Sequence, residues 1–283
     1  MASLIVWVAT AAVIYGAVLG VHALRNRYSL APLFILMGFC ASIMMWLSTL
    51  GARVEVMGLS VLWGSTIYAG LYIGVFVLYV FDGAAAARLA VFTVVGVTLG
   101  TFLFEYLLLW QTSLGISRID VDYPPPSLRL YAASCFAALT DLLILAMLWE
   151  VLLKWPSFSL TVRIFLTLFT TLIFDSFVFL SLGFAGTGAP LASMLQGNVL
   201  DRLLLCGAVS PLLAGYVRWQ QGLHGSDLGR GKVLAILRAS RESERRLTLA
   251  EQEIARRKEV ERALRASEEQ YRSLAENMPG AVF

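Results

Sequence analysis

Charge and imidazole are what this sequence has least of. Of its 283 residues 14% are charged and two are histidine, whereas an ordinary soluble domain carries roughly 25% charged residues. With 58% hydrophobic residues and a mean hydropathy of +0.75, the chain is too apolar for water and points to lipid. The net charge of +3 is small and mixed in sign, which excludes the basic face that nucleic-acid binding requires. Cysteine is equally sparse. Cys40, Cys135 and Cys206 each sit in an apolar run, with no CxxC pair and no histidine at ligand spacing. No disulfide framework, metal site or cofactor is therefore expected, and the three read as small core hydrophobes. There is no Walker lysine, HExxH, GxSxG or phosphoacceptor histidine among ATPase motifs, so no catalytic residue is expected up to Phe283. The start of the chain lacks a basic n-region and a small-residue cleavage site, so residues 4–24 are expected to be a retained helix.

What is present is long apolar runs. A hydrocarbon core about 30 Å thick takes roughly 20 apolar residues per helix, and seven runs qualify: 4–24, 32–50, 60–81, 89–110, 131–153, 158–184 and 192–217. Turn residues separate them, among them Gly58, Asp82-Gly83, Pro124-Pro125-Pro126, Pro156 and Gly186–Pro190. The expected fold is an all-α membrane protein, a bundle of about seven transmembrane helices followed by a cytoplasmic parallel coiled-coil helix. Positive charge sets the orientation. With the N-terminus outside, the inner connections carry Arg25, Arg27, Arg88, Lys154 and Arg218, and the outer ones Arg53, Arg118 and Arg129. Trp7, Trp46, Trp63, Trp110 and Tyr131 are expected at the outer interface, and Tyr28, Tyr79, Trp155 and Trp219 at the inner one. The outer loop 111–130, stiffened by three prolines, is expected either to lid a cavity or simply to connect two helices.

The charge is segregated along the chain. Residues 1–221 hold ten Lys/Arg and nine Asp/Glu, while the much shorter 222–283 hold twelve and ten. This divides the chain into a transmembrane domain at 1–221, a linker at 222–232, a signalling coiled coil at 233–275 and a last segment at 276–283. Val233, Ile236, Ser240, Ser243, Leu247, Ala250 and Ile254 form one heptad seam, and Val260, Leu264, Ser267, Tyr271 and Leu274 a second. Successive steps of three through Arg257 join them, a stammer that overwinds a coiled coil. Serines in the seam suit a helix that shifts between two packings, and the coil implies a homodimer. An ordinary solvated amphipathic helix is the plainer reading.

The stretch from Arg262 through Tyr271 and Leu274 to Asn277-Met-Pro-Gly280-Ala-Val-Phe283 resembles the start of a PAS domain, as found in membrane histidine kinases and diguanylate cyclases. The strand that Ala281-Val-Phe283 would begin has no partner, so the natural protein is expected to continue. Within the membrane part, Val162-Arg163-Ile-Phe-Leu-Thr-Leu-Phe-Thr-Thr-Leu-Ile-Phe-Asp175-Ser-Phe-Val-Phe179 resembles the Arg…Asp-x-x-x-Phe helix of the vitamin uptake and queuosine-precursor transporter family. Tyr79-Val-Phe-Asp82-Gly83-Ala-Ala-Ala-Ala-Arg88 is similar to its Tyr-Gly…Ala-Arg connection. Gly197-Asn-Val-Leu-Asp201-Arg202 with Ser210-Pro211 resembles its last helix. Joined to PAS and output modules, such a domain resembles the vitamin uptake-like sensor domain, which implies a receptor for vitamin-like or nucleobase-like heterocycles, a deazaguanine with an amine among them.

Ionisable residues inside the helices agree with a buried site, because each is costly in hydrocarbon unless it faces protein or water. At 1.5 Å per residue, Asp141, Asp175 and the Asp201-Arg202 pair share a layer roughly 13–15 Å below the outer surface. Glu105 lies at roughly 8 Å, and Gln196 and Asn198 precede Asp201 on the same helix. These seven are the candidate ligand-binding residues. Three carboxylates against one arginine suit a cationic or donor-rich ligand; alternatively Arg202 and two aspartates form an interhelical clamp. Arg163, about 18 Å below Asp175, is expected to snorkel or to meet Asp82 or Glu150. His22 is expected to be a satisfied interfacial residue.

The expectation is a multi-pass sensor of a bacterial inner membrane with a cytoplasmic C-terminus, whose partners are the bilayer, a small periplasmic ligand and a second copy. A transporter of the same ligand class is the rival, and a membrane anchor that binds nothing is the third reading.

Overall fold

The computed structural model describes residues 2–56, 59–116, 125–155, 157–188 and 191–224. The expected coiled coil at 233–275, the segment 276–283, most of the linker and the centre of the 111–130 loop lie outside the described residues. The elements are α1 (Ala2–Ala23), the one-turn α2 (Arg25–Tyr28), α3 (Ala31–Thr49), a hairpin of β1 (Arg53–Val56) and β2 (Leu59–Leu62), α4 (Trp63–Phe81), α5 (Ala84–Ser113), α6 (Leu128–Leu153), α7 (Leu160–Phe184) and α8 (Leu191–His224). All but α2 among the helices are long and apolar enough to cross a membrane, seven spans in the described residues, as a multi-pass membrane protein requires.

Local chemistry starts and turns these helices. Pro32 stands in the first turn of α3, where no backbone N–H partner is needed. Ser127 and Ser159 cap α6 and α7 by accepting from the backbone N–H of Leu130 and Val162. Between α4 and α5 the chain reverses at Asp82-Gly83, and Gly83 has φ +86°, a conformation open to glycine at little cost.

The helices enclose α4. Its neighbours are α1, α3, α5 and α6, while α3 packs on α5, α5 on α6, α6 on α7, and α7 on α8. Buried side chains occur all around α4, including Tyr68, Tyr72 and Phe76, so it is a core helix shielded from lipid. Small residues let it approach its partners. A Cβ on Gly64 would stand 2.3 Å from Ser48 Oγ, and one on Gly70 2.7 Å from Ile14 Cγ2. Polar contacts add to the α1–α4 seam: Trp7 Nε1 donates to Thr66 Oγ1 at 3.0 Å, and the Tyr15 hydroxyl to the Thr66 carbonyl at 3.2 Å.

Several sequence expectations change. The span expected at 60–81 begins at Trp63, because Arg53–Val56 and Leu59–Leu62 pair antiparallel, Arg53 opposite Leu62. Both segments are short, rich in valine and leucine and close to the alternating pattern of a strand. The span expected at 89–110 is Ala84–Ser113, since alanines 84–87 extend the helix back to Gly83. The linker expected from 222 starts inside α8, which runs to His224. Trp46, Trp110, Tyr28, Trp155 and Trp219 are exposed, as interfacial aromatics are, whereas Trp7, Tyr79 and Tyr131 are buried because their polar tips bond to Thr66, Glu150 and Glu105.

Gly70→Val is expected to destabilise the bundle by about 1–3 kcal/mol through overpacking, measured by thermal unfolding in lipid nanodiscs. Gly96→Val is the control, since nothing lies within 4 Å of a Cβ there, and it should leave the transition unchanged.

Candidate functional site

Although α4 packs closely on α1 and α3, its gap to α7 and α8 is bridged by long polar side chains. Arg202 on α8 is the largest of them and is 1% exposed. Its Nη1 donates to the Ser65 carbonyl of α4 at 2.7 Å and to Asp201 Oδ2 at 3.3 Å. Its Nη2 stands 3.7 Å from Asp175 Oδ2 on α7, beyond hydrogen-bonding length, so this pair is Coulombic and loose. Ser65 Oγ donates to Asp201 Oδ2 at 3.4 Å. One guanidinium thus ties α4, α7 and α8 together.

Asp141 on α6 completes the layer from the other side. It is fully buried, with 0% exposure. The Tyr68 hydroxyl donates to its Oδ2, and the Tyr72 hydroxyl donates to its backbone carbonyl at 2.9 Å. The two phenols sit one helical turn apart on α4 with ring centroids 6.2 Å apart.

Above this layer is a pocket whose empty space, its open mouth included, is about 440 Å³. Asp175, Arg202, Asn198, Tyr68, Ser48, Ser65 and Ser134 give it polar groups, and Met44, Met45, Leu62 and Phe179 give it apolar walls. Every lining residue belongs to the half of its helix nearer the hairpin, and Leu62 comes from β2 itself. Around it, Asp141 Oδ1, Asp201 Oδ1 and Arg202 Nε are buried without a hydrogen-bond partner. Unmet buried groups of this kind are positions for water or ligand atoms.

Of the seven candidates, Asp175, Arg202 and Asn198 line the pocket, Asp201 backs it through Arg202 and Ser65, and Asp141 sits beneath Tyr68. Glu105 is elsewhere: it accepts from the Tyr131 hydroxyl at 2.7 Å and joins α5 to α6. Gln196 is exposed and does not line the pocket. Tyr68, Tyr72 and the serines were not singled out in the sequence, because a tyrosine or serine in an apolar helix looks like core. The spacing of four between Tyr68 and Tyr72, which puts both on one face, is the signal that was there to use.

A second polar group lies at the end of the bundle away from the hairpin. His22 bonds to Asp82 at 2.8 Å and to Tyr216 at 2.6 Å, so it is satisfied but buried, with 0% exposure. Arg163 meets neither Asp82 nor Glu150; Nη2 donates to the Trp155 carbonyl at 3.0 Å, while Asp82 is held by His22 and Arg25 and Glu150 accepts from Tyr79. Among the described residues no group of three or more His, Cys, Asp or Glu is placed to hold a metal ion.

A bundle of helices long and apolar enough to cross a membrane, with a polar pocket between them, defines a polytopic membrane protein. Residues 15–217 match the model of the vitamin uptake-like sensor family. The match covers most of the chain, and the protein belongs to that family of membrane sensor domains. No curated protein and no solved structure matches it.

Arg202→Met is expected to cost about 3–5 kcal/mol, because it strands buried carboxylates. Arg202→Lys should restore only part of this, since a lysine ammonium lacks the planar fork whose Nη1 meets Ser65 and Asp201 while its Nη2 faces Asp175. Thermal unfolding of the two variants in nanodiscs measures both effects.

Proposed function

We propose that this membrane sensor domain binds a small, flat, cationic or donor-rich solute, vitamin-like or nucleobase-like, in the pocket between α3, α4, α7 and α8. The observation that carries the reading is Asp175: its carboxyl lines the pocket with only a loose 3.7 Å pairing to Arg202. It therefore keeps acceptor capacity for ligand N–H groups. Asn198 offers a donor and an acceptor, and Met44, Met45 and Phe179 offer soft apolar faces for a ring. Asp141, Asp175 and Asp201 against Arg202 leave negative charge in excess, which favours a cationic group. The polar gap suits a solute of this kind better than a dry interhelical clamp, which would leave no unmet buried atoms.

In this reading the hairpin end faces the periplasm of a bacterial inner membrane and α8 leads to the cytoplasm. Ligand binding that favours one packing of α8 over another shifts the population of the two. The shift passes through the 233–275 coil of a homodimer to PAS and output modules, a histidine kinase or a diguanylate cyclase. Equal affinity for both packings would send no signal.

Two measurements test this. In nanodiscs, 7-aminomethyl-7-deazaguanine is expected to raise the unfolding temperature and to bind at least tenfold more tightly than the uncharged 7-cyano analogue, about 1.4 kcal/mol. Asp175→Asn should remove that preference. Absence of binding by both compounds counts against the site, and flux of the amine into proteoliposomes would make the domain a transporter. For topology, with the native cysteines replaced by alanine, Glu55→Cys should react with an impermeant maleimide from the periplasmic side and Arg218→Cys only after permeabilisation. Reaction of both from one side would overturn the proposed direction of signalling.

A further inference from the structure

The binding pocket makes no use of the second polar cluster, which grips α8 near its other end. Its fixed part comes from two places that the fold brings together: His22 and Arg25, at the end of α1 and in α2, and Asp82 in the α4–α5 turn set by Gly83. His22 Nε2 is 2.8 Å from Asp82 Oδ2, and Arg25 Nε is 3.4 Å from Asp82 Oδ1. The Arg25 guanidinium also lies 5.4 Å over the ring of Phe81. The gripped part is on α8. Tyr216 OH is 2.6 Å from His22 Nδ1, and Arg25 Nη1 donates to Gln220 Oε1 at 3.2 Å. Tyr216 and Gln220 are one turn apart and so share a face. The imidazole tautomer with its proton on Nε2 satisfies both bonds of His22, donating to Asp82 and accepting from Tyr216.

Between this jaw and the pocket, α8 has a weak point. Pro211 lies inside the helix, nine residues after Arg202 and five before Tyr216. A proline there has no N–H for the carbonyl of Gly207, four residues earlier, and its ring crowds that carbonyl, so the helix bends easily at this turn. Arg202 and Tyr216 are about 21 Å apart along the axis. The two halves of α8 are therefore anchored separately, the first to α4 and α7 through Arg202, the second to α1 and α2 through Tyr216 and Gln220.

From this geometry we infer that His22, Arg25 and Asp82 form a latch that sets the position of the last two to three turns of α8, independently of the pocket end, with Pro211 as the joint between them. The inference rests on the reading that α8 carries the signal and names the point where that signal is held. With the latch closed, the joint absorbs tilting of the pocket half. With it open, the segment after Pro211 is free to take a second position.

The test is amide hydrogen exchange on the full 283-residue chain in nanodiscs, with no ligand added, so that failure to find a ligand leaves it intact. Tyr216→Phe removes the hydroxyl on His22, and Gln220→Ala the amide on Arg25; each is expected to speed exchange in 212–222 at least tenfold and to leave 191–206 unchanged. Arg202→Lys should do the reverse. Asp82→Asn, which weakens the hold on His22 and Arg25, is expected to act like the two α8 variants, which still decide the matter if it fails to fold. Exchange that rises together in both halves, or that stays unchanged in Tyr216→Phe and Gln220→Ala, would overturn the latch.

Discussion

The guanidinium of Arg202 is 1% exposed in the middle of a helical bundle, and much of the architecture follows from keeping it there. A buried cation persists only when it is paired and its donors are used. Arg202 meets that condition through its terminal nitrogens, which reach a backbone carbonyl on α4, a carboxylate on its own helix and another on α7, while its Nε is left without a partner. Hydrophobic burial cannot fill a gap that holds this group, so α7 and α8 stand off from α4 and the space becomes a polar pocket. Gly70 has the opposite effect on another flank of α4: it allows a contact with α1 that no larger residue would accept, whereas Gly64 and its α3 neighbours Met44 and Ser48 form part of the pocket wall.

Much of this was legible in the sequence, and the failures have identifiable causes. Length and hydropathy decide whether a helix can cross a bilayer, so seven spans were readable from composition alone. Counting rise per residue was enough to bring Asp175 and Asp201-Arg202 to one layer. The same count said nothing about which way a side chain faces. Gln196 and Asn198 are two residues apart, about 200° around the helix, and one is exposed while the other is buried. Tyr68 meets Asp141, 73 residues away, and the tyrosine that bonds to His22, Tyr216, is 194 residues away. Such pairings are set by tertiary packing, which a single sequence does not encode in any local pattern. The hairpin was missed because four-residue strands beside long apolar runs merge into the helix that follows.

Membership of the vitamin uptake-like sensor family fits a structure in which polar groups are gathered at two levels, near the hairpin and near the opposite end. The two levels share α8. A helix that contributes Asn198, Asp201 and Arg202 to one and Tyr216 and Gln220 to the other, with a proline between them, connects the pocket to the opposite end of the bundle without a continuous rigid rod. Coupling through such an element depends on discrete packings rather than on gradual bending, which is the property a receptor needs and a channel wall does not.

Arg202 also bears on how the chain is made. Its carboxylate partner on α7 and the buried Asp141 on α6 precede it in synthesis, while the cation that compensates them arrives with the final span. Until α8 enters the bilayer, those two acids occupy a nascent bundle that has no opposite charge at their level, where hydrocarbon penalises them. Insertion of α8 therefore supplies the cation that pairs with them, and a polypeptide interrupted before it would leave Asp141 and Asp175 without their arginine.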